Sequence, residues 1–108
     1  MKIIAAPRGA GKTTELVKIS ANTGDYIVVK DRKMALYTMD IAKKANVWIP
    51  FPITYDEFLN HRWGNTVKGF LIDDLETLMT QVLNMVNPPI NAVAITADCV
   101  EDWPKDEK

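Results

Sequence analysis

The sequence predicts an α/β protein, three layers deep, with a mainly parallel sheet of about four or five strands. Three observations carry that prediction. Short apolar runs alternate with segments of helical periodicity, the order from which parallel sheets are built. A loop of small residues, Gly9-Ala10-Gly11, separates the first apolar run from the first helix. A later apolar run, Phe70-Leu71-Ile72, ends on two adjacent carboxylates, Asp73 and Asp74.

The elements follow in order. Lys2 to Ala6 reads as a short buried strand. The first helix begins within the loop and carries Leu16, Val17 and Ser20 on adjacent turns. It stops at the breaker cluster Asn22-Thr23-Gly24. Tyr26 to Val29 is a β-branched second strand. Asp31 is the expected N-cap of a helix over about 32–45, with Met34, Tyr37, Ile41 and Ala45 along one face. Val47-Trp48-Ile49 reads as a short strand, which Pro50 and Pro52 stop from continuing centrally. Thr54 and Glu57 have the spacing of a capping box, with Ile53 and Phe58 placed as a hydrophobic staple. A short helix to Leu59 or Asn60 follows, then an exposed loop, His61-Arg62-Trp63-Gly64-Asn65. After the Phe70 strand, Leu75, Leu78, Met79, Val82, Leu83 and Val86 repeat at helical period. That helix runs to about Met85, with Met79 and Met85 as core filler, and Asn87-Pro88-Pro89 ends it. Ala92 to Thr96 reads as a last buried strand. Residues 1–98 thus form one domain, and 99–108 a charged, frayed tail.

Composition narrows the class. At 108 residues, 47% hydrophobic and 25% charged, the chain has the balance of a globular domain. No apolar run approaches the roughly 18 residues of a membrane span. Lys2 leads straight into the apolar run, so neither a signal peptide nor a membrane partner is expected. The single cysteine, Cys99, cannot form an internal disulfide, and a cytoplasmic location fits. With His61 it makes no metal-ligand spacing. A net charge of −1 gives no global field for nucleic acid.

The loop carries the chemistry. Ala6-Pro7-Arg8-Gly9-Ala10-Gly11-Lys12-Thr13 matches G-x-x-x-x-G-K-[ST] except that Ala6 replaces the first glycine. Small residues let backbone N–H groups turn inward around a phosphate, and the helix start adds unsatisfied donors and a positive dipole end. Arg8, Gly9, Ala10, Gly11, Lys12, Thr13 and Thr14 are therefore the expected nucleotide-binding residues. Lys12 supplies charge for the β- and γ-phosphates, Thr13 a hydroxyl for Mg²⁺, and Thr14 a contact to the α-phosphate. An apolar strand delivering Asp73 at its end is what a Walker B element requires. Asp73 would face Mg²⁺ opposite Thr13. The plain structural alternative is a strand followed by a helix-capping Asp74.

Together these segments resemble a P-loop NTPase, and more narrowly the helicase, RecA-like and AAA branch. Ile53 to Leu59 occupies the place of the segment before Walker B in superfamily-one helicases. Leu71 to Glu76 parallels their acidic Walker B stretch, and Ala94 to Asp98 the strand bearing their γ-phosphate sensor. The resemblance spans most of residues 2–98 and implies ATP as ligand or substrate with Mg²⁺. It also places Asp74 where that branch carries a catalytic glutamate. Aspartate is one methylene shorter, and a misplacement of ~1 Å can cost about a hundredfold in rate. Glu76 points away from it on a helix. The usual fifth strand, second lobe and arginine finger have no counterpart before the last residue. Fingers are worth roughly 10³–10⁵ in rate, so weak or partner-dependent hydrolysis is expected. A helicase-like strand order, 1-4-3-2, would leave the first strand at an edge, to be covered by another copy or a larger protein partner.

Three functions fit this pattern. The first is an ATP-binding protein with slow hydrolysis in a nucleic-acid-related process. The second is a nucleotide-gated interaction module or inhibitor without turnover. The third is a small nucleotide or metabolite kinase, against which three scattered arginines argue. ATP is preferred because nothing resembles a guanine-specificity motif. For nucleic acid, His61-Arg62-Trp63 and Lys68 put cations beside an aromatic ring, although an exposed loop with one snorkelling Trp is the favoured explanation of them.

Overall fold

Strand β2 (Tyr26–Val29) is the centre of the molecule because its apolar residues can be covered on both sides. In the computed structural model, which describes residues 3–5, 9–94 and 101–102, Ile27, Val28 and Val29 are at most 1% exposed. Side chains alternate along a strand, and two cores form accordingly. Ile27 and Val29 pack with Val17 of helix α1 (Lys12–Thr23) and with Ala35 and Ala42 of helix α2 (Arg32–Lys44). Val28 packs with Tyr55 of helix α3 (Tyr55–Leu59) and Leu78 of helix α4 (Leu75–Leu83). The fold is α/β, with helices interleaved between strands and packed on both faces of the sheet.

That sheet has three strands, all parallel, in the order β3 (Ile53–Thr54), β2, β4 (Phe70–Ile72). Val28 is in register with Ile53 on one side and Ile72 on the other. The ladder of β4 is pinned at both ends, by Tyr26 N–H to the Gly69 carbonyl at 3.0 Å and by Asp73 N–H to the Val28 carbonyl at 2.9 Å. A second parallel pair joins β1 (Ile4–Ala5) to β5 (Glu101–Asp102).

Local chemistry sets the helix ends. Gly24, left-handed at φ 80°, closes α1 by donating to the Ser20 carbonyl. Asp31 caps α2, accepting from Met34 N–H at 2.9 Å. The capping box of α3 is complete: Thr54 Oγ1 accepts from Glu57 N–H, and Glu57 Oε1 accepts from Thr54 N–H.

Several sequence expectations are corrected. Val47-Trp48-Ile49 is not a strand; the edge strand is Ile53–Thr54. The reason is a Schellman ending of α2 around left-handed Asn46 (φ 57°). Val47 N–H donates to the Ala42 carbonyl and Asn46 N–H to that of Lys43, so Val47 has no amide to give a ladder. The buried stripe of α2 is Ala35, Thr38 and Ala42, while Tyr37 and Ala45 are exposed. Small side chains on that stripe let the helix lie close to β2. Helix α4 ends at Leu83, with only Leu78 fully buried; Met79 and Met85 face outward instead of filling a core. Ala92 to Ala94 form no strand, and Val93 is 70% exposed. Strand propensity expresses packing, and the described part of the run lies largely open. Ile95 and Thr96, Cys99, and Arg8 of the loop lie outside the described residues. Glu101 and Asp102, from the expected tail, pair with β1, so strand one meets this segment. Among the described residues, no helix is long and apolar enough to cross a membrane.

Candidate functional site

The loop before α1 places two glycines in the left-handed region, Gly9 at φ 82° and Gly11 at φ 92°. A β-carbon would strain both, although open space surrounds each position. Gly11 is the N-cap residue of α1, with no side chain to satisfy the helix donors. Helix N-terminal N–H groups are the donors an anion would use. Lys12 and Thr13 open the helix, and both are half-buried; Thr14, one position on, is exposed.

Across the sheet, β4 delivers Asp73. It is only 7% exposed, and its Oδ2 accepts a hydrogen bond from Thr13 Oγ1 at 2.9 Å. Sixty residues separate the two in the chain. Burial pushes the Asp73 carboxyl above the ordinary aspartate range. The Thr13 bond opposes that shift, the Asp74 charge adds to it, and the Lys12 charge and a backbone bond lower it. The lysine, the hydroxyl and the carboxylate predicted from the sequence thus meet at one place.

Asp74 behaves differently. It adopts φ 61°, left-handed, as the N-cap of α4, accepting from Thr77 N–H at 3.4 Å and Thr77 Oγ1 at 2.7 Å. The carboxylate expected to orient water is therefore tied to the helix start, as the structural alternative required. Glu76, on the first turn of α4, is exposed.

Tyr55 is the residue that sequence reasoning missed. Its ring is buried beneath the turn and its hydroxyl donates to the Asp73 carbonyl at 2.6 Å and the Asp74 carbonyl at 2.8 Å. Burial raises the phenol pKa well beyond its usual value, with the Asp74 and Asp73 charges adding, so it stays a donor. The signal was an aromatic residue directly after a capping threonine, which also fits ordinary core packing. A cavity of about 500 Å³ opens at this turn, lined by Asp73, Asp74 and Tyr55 together with Asp31, Lys30 and Lys33.

The donor set suits magnesium. Thr13 and Asp73 present hard oxygen ligands within hydrogen-bond reach, and Mg²⁺ favours one or two such protein oxygens completed by phosphates and water. No cluster of three or more His, Cys, Asp or Glu is arranged to hold a metal alone among the described residues. The basic loop folds otherwise than a free base-stacking platform: Trp63 is half-buried, 4.9 Å from Phe70 and 6.1 Å from Phe58 between ring centres. No protein-family model matches the chain, and comparison with curated proteins and with solved structures gives no match either.

Proposed function

We propose that this chain is a P-loop NTPase of the helicase-like branch that binds Mg–ATP and hydrolyses it slowly or only with a partner, in a nucleic-acid-related process. The observation that carries the reading is the 2.9 Å bond from Thr13 to Asp73. It joins a Gly-Lys-Thr helix start to the acidic end of a parallel strand, the pair of groups that share Mg²⁺ in such proteins. In this role Lys12 neutralises the β- and γ-phosphates, the loop N–H groups hold them, and Thr13 and Asp73 hold the ion. The ion's contribution is to offset negative charge on the bridging phosphate oxygens. β4 pairing with β2, and not with β1 among the described residues, supports the branch.

The cap at Asp74 favours a second reading, a nucleotide-gated module without turnover, because its carboxylate is already engaged by Thr77. One experiment addresses both. Labelled ATP is titrated with and without Mg²⁺, and turnover is then measured on the same sample. Mg²⁺-dependent binding that Lys12→Ala abolishes supports nucleotide binding, and the rate separates the two readings. Equal binding by Lys12→Ala sinks both.

A further inference from the structure

Two of the chain's three arginines, Arg32 and Arg62, line one cleft of about 380 Å³ on the β3 side of the sheet. Tyr26, Phe51 and Trp63 line it with them. The volume falls in the range of small-ligand pockets. We propose that this cleft binds a nucleobase together with its phosphate, as part of a single strand or as a free nucleotide.

Arg32, the first residue of α2, holds its guanidinium 5.7 Å from the centre of the Phe51 ring. An arginine lying on an aromatic face keeps its N–H fork turned outward for an anion. Arg62 is placed by the chain on either side of it. Its N–H donates to the Glu57 carbonyl at 2.8 Å, after a left-handed His61 at φ 56°. Trp63 follows, wedged edge-on against Phe70 and stacked towards Phe58. The one carboxylate lining the cleft, Glu57, is engaged in the capping box through Oε1 at 2.9 Å from Thr54 N–H. Two cations beside the partly exposed Phe51 ring, with packed Trp63 as a wall of the cleft, offer phosphate and base contacts together, which is how single strands are bound without sequence preference.

This surface supplies the partner site for the nucleic-acid-related role proposed above and rests on that part of it, so Mg–ATP binding is measured separately. An oligothymidylate of about 12 nucleotides is titrated against the full chain by fluorescence anisotropy, with thymidine monophosphate, duplex DNA and polyglutamate as competitors. The double variant Arg32→Gln/Arg62→Gln is expected to lose about tenfold or more in affinity while Mg–ATP binding stays within about twofold. Phe51→Ala is expected to lose about fivefold through stacking. Two phosphate contacts predict a log–log salt slope of about −1.4. A strand bound more tightly than the monophosphate identifies a polynucleotide, and equal binding identifies the free nucleotide. The proposal is overturned if the wild-type chain binds neither, if the double variant binds as well, or if duplex or polyglutamate competes as effectively as the single strand. Retained Mg–ATP affinity or an unchanged circular dichroism spectrum shows that the variant is folded.

Discussion

Two turns leave this sheet into helices with the same device and different results. After β2, Asp31 caps α2 from an extended backbone (φ −156°) with a 2.9 Å bond to Met34 N–H. After β4, Asp74 caps α4 from a left-handed backbone, with a weak 3.4 Å amide bond and a stronger one to the Thr77 hydroxyl. The first turn is an unstrained helix start. The second carries an extra carboxylate, Asp73, buried under the sheet end, and a tyrosine that fastens two successive carbonyls. Strained backbone persists where surrounding structure over-determines it, and such places concentrate at ligand sites. The contrast argues that the β4 turn is shaped around Asp73 and that capping by Asp74 is fitted to that shape.

The largest effect expected is at Asp73. Asp73→Asn keeps an acceptor for Thr13 but removes the anion, and Mg²⁺-dependent gain in ATP affinity should fall by at least about tenfold in an equilibrium titration. The same change should raise the melting temperature of the ligand-free protein at neutral pH. The sign follows from linkage: a carboxyl with its folded pKa raised binds more protons folded than unfolded. Stability therefore declines as pH rises from the ordinary aspartate value through the raised one. Asparagine should flatten that decline, and thermal melts from pH 4 to 8 would read it. A wild-type melting temperature that rises across the same window, with no change in slope on substitution, would break the link to Asp73.

Next comes Tyr55→Phe, which takes the phenol donor from the Asp73 carbonyl while the Asp74 carbonyl keeps its Thr77 and Leu78 amides, at a cost of about 1–3 kcal/mol in chemical denaturation. Mg²⁺-dependent affinity should fall with it, because the turn holding Asp73 loses its fastening; unaltered affinity would confine Tyr55 to packing. Asp74→Ala loses a cap and keeps an unfavourable backbone, about 2 kcal/mol together. Asp74→Gly should cost about half as much, since glycine accepts the left-handed conformation. Asp31→Ala, in the relaxed turn, is expected to cost about 1 kcal/mol and Asp31→Gly only a few tenths, the ordinary N-cap preference with no left-handed penalty added, because φ is already extended. Equal behaviour of alanine and glycine at Asp74 would remove the distinction between the turns.

Features written in consecutive residues were legible in the sequence. The Thr54–Glu57 box, the Asp31 cap and the Gly24 stop each depend on a few neighbours, and each has the expected form. The meeting of Thr13 with Asp73 was legible because a motif at each strand end implied a common edge. What failed depended on tertiary partners. Val47-Trp48-Ile49 has strand composition, but Asn46 turns its first amide back to the helix. Residues 92–94 are exposed, and the helical stripe beginning at Leu75 is half outside the core. The tie from Tyr55 to the Asp73 turn crosses 18 residues and has no local signature.

The bond from Asp73 N–H to the Val28 carbonyl has a consequence for when the site exists at all. Val28 has no solvent exposure, so that amide is released to water only when the central sheet comes apart. Its hydrogen-exchange rate should track global unfolding, whereas amides of the exposed Asn84–Asn91 segment should exchange through local openings. The carboxylate end of the site is then in place before any ligand arrives.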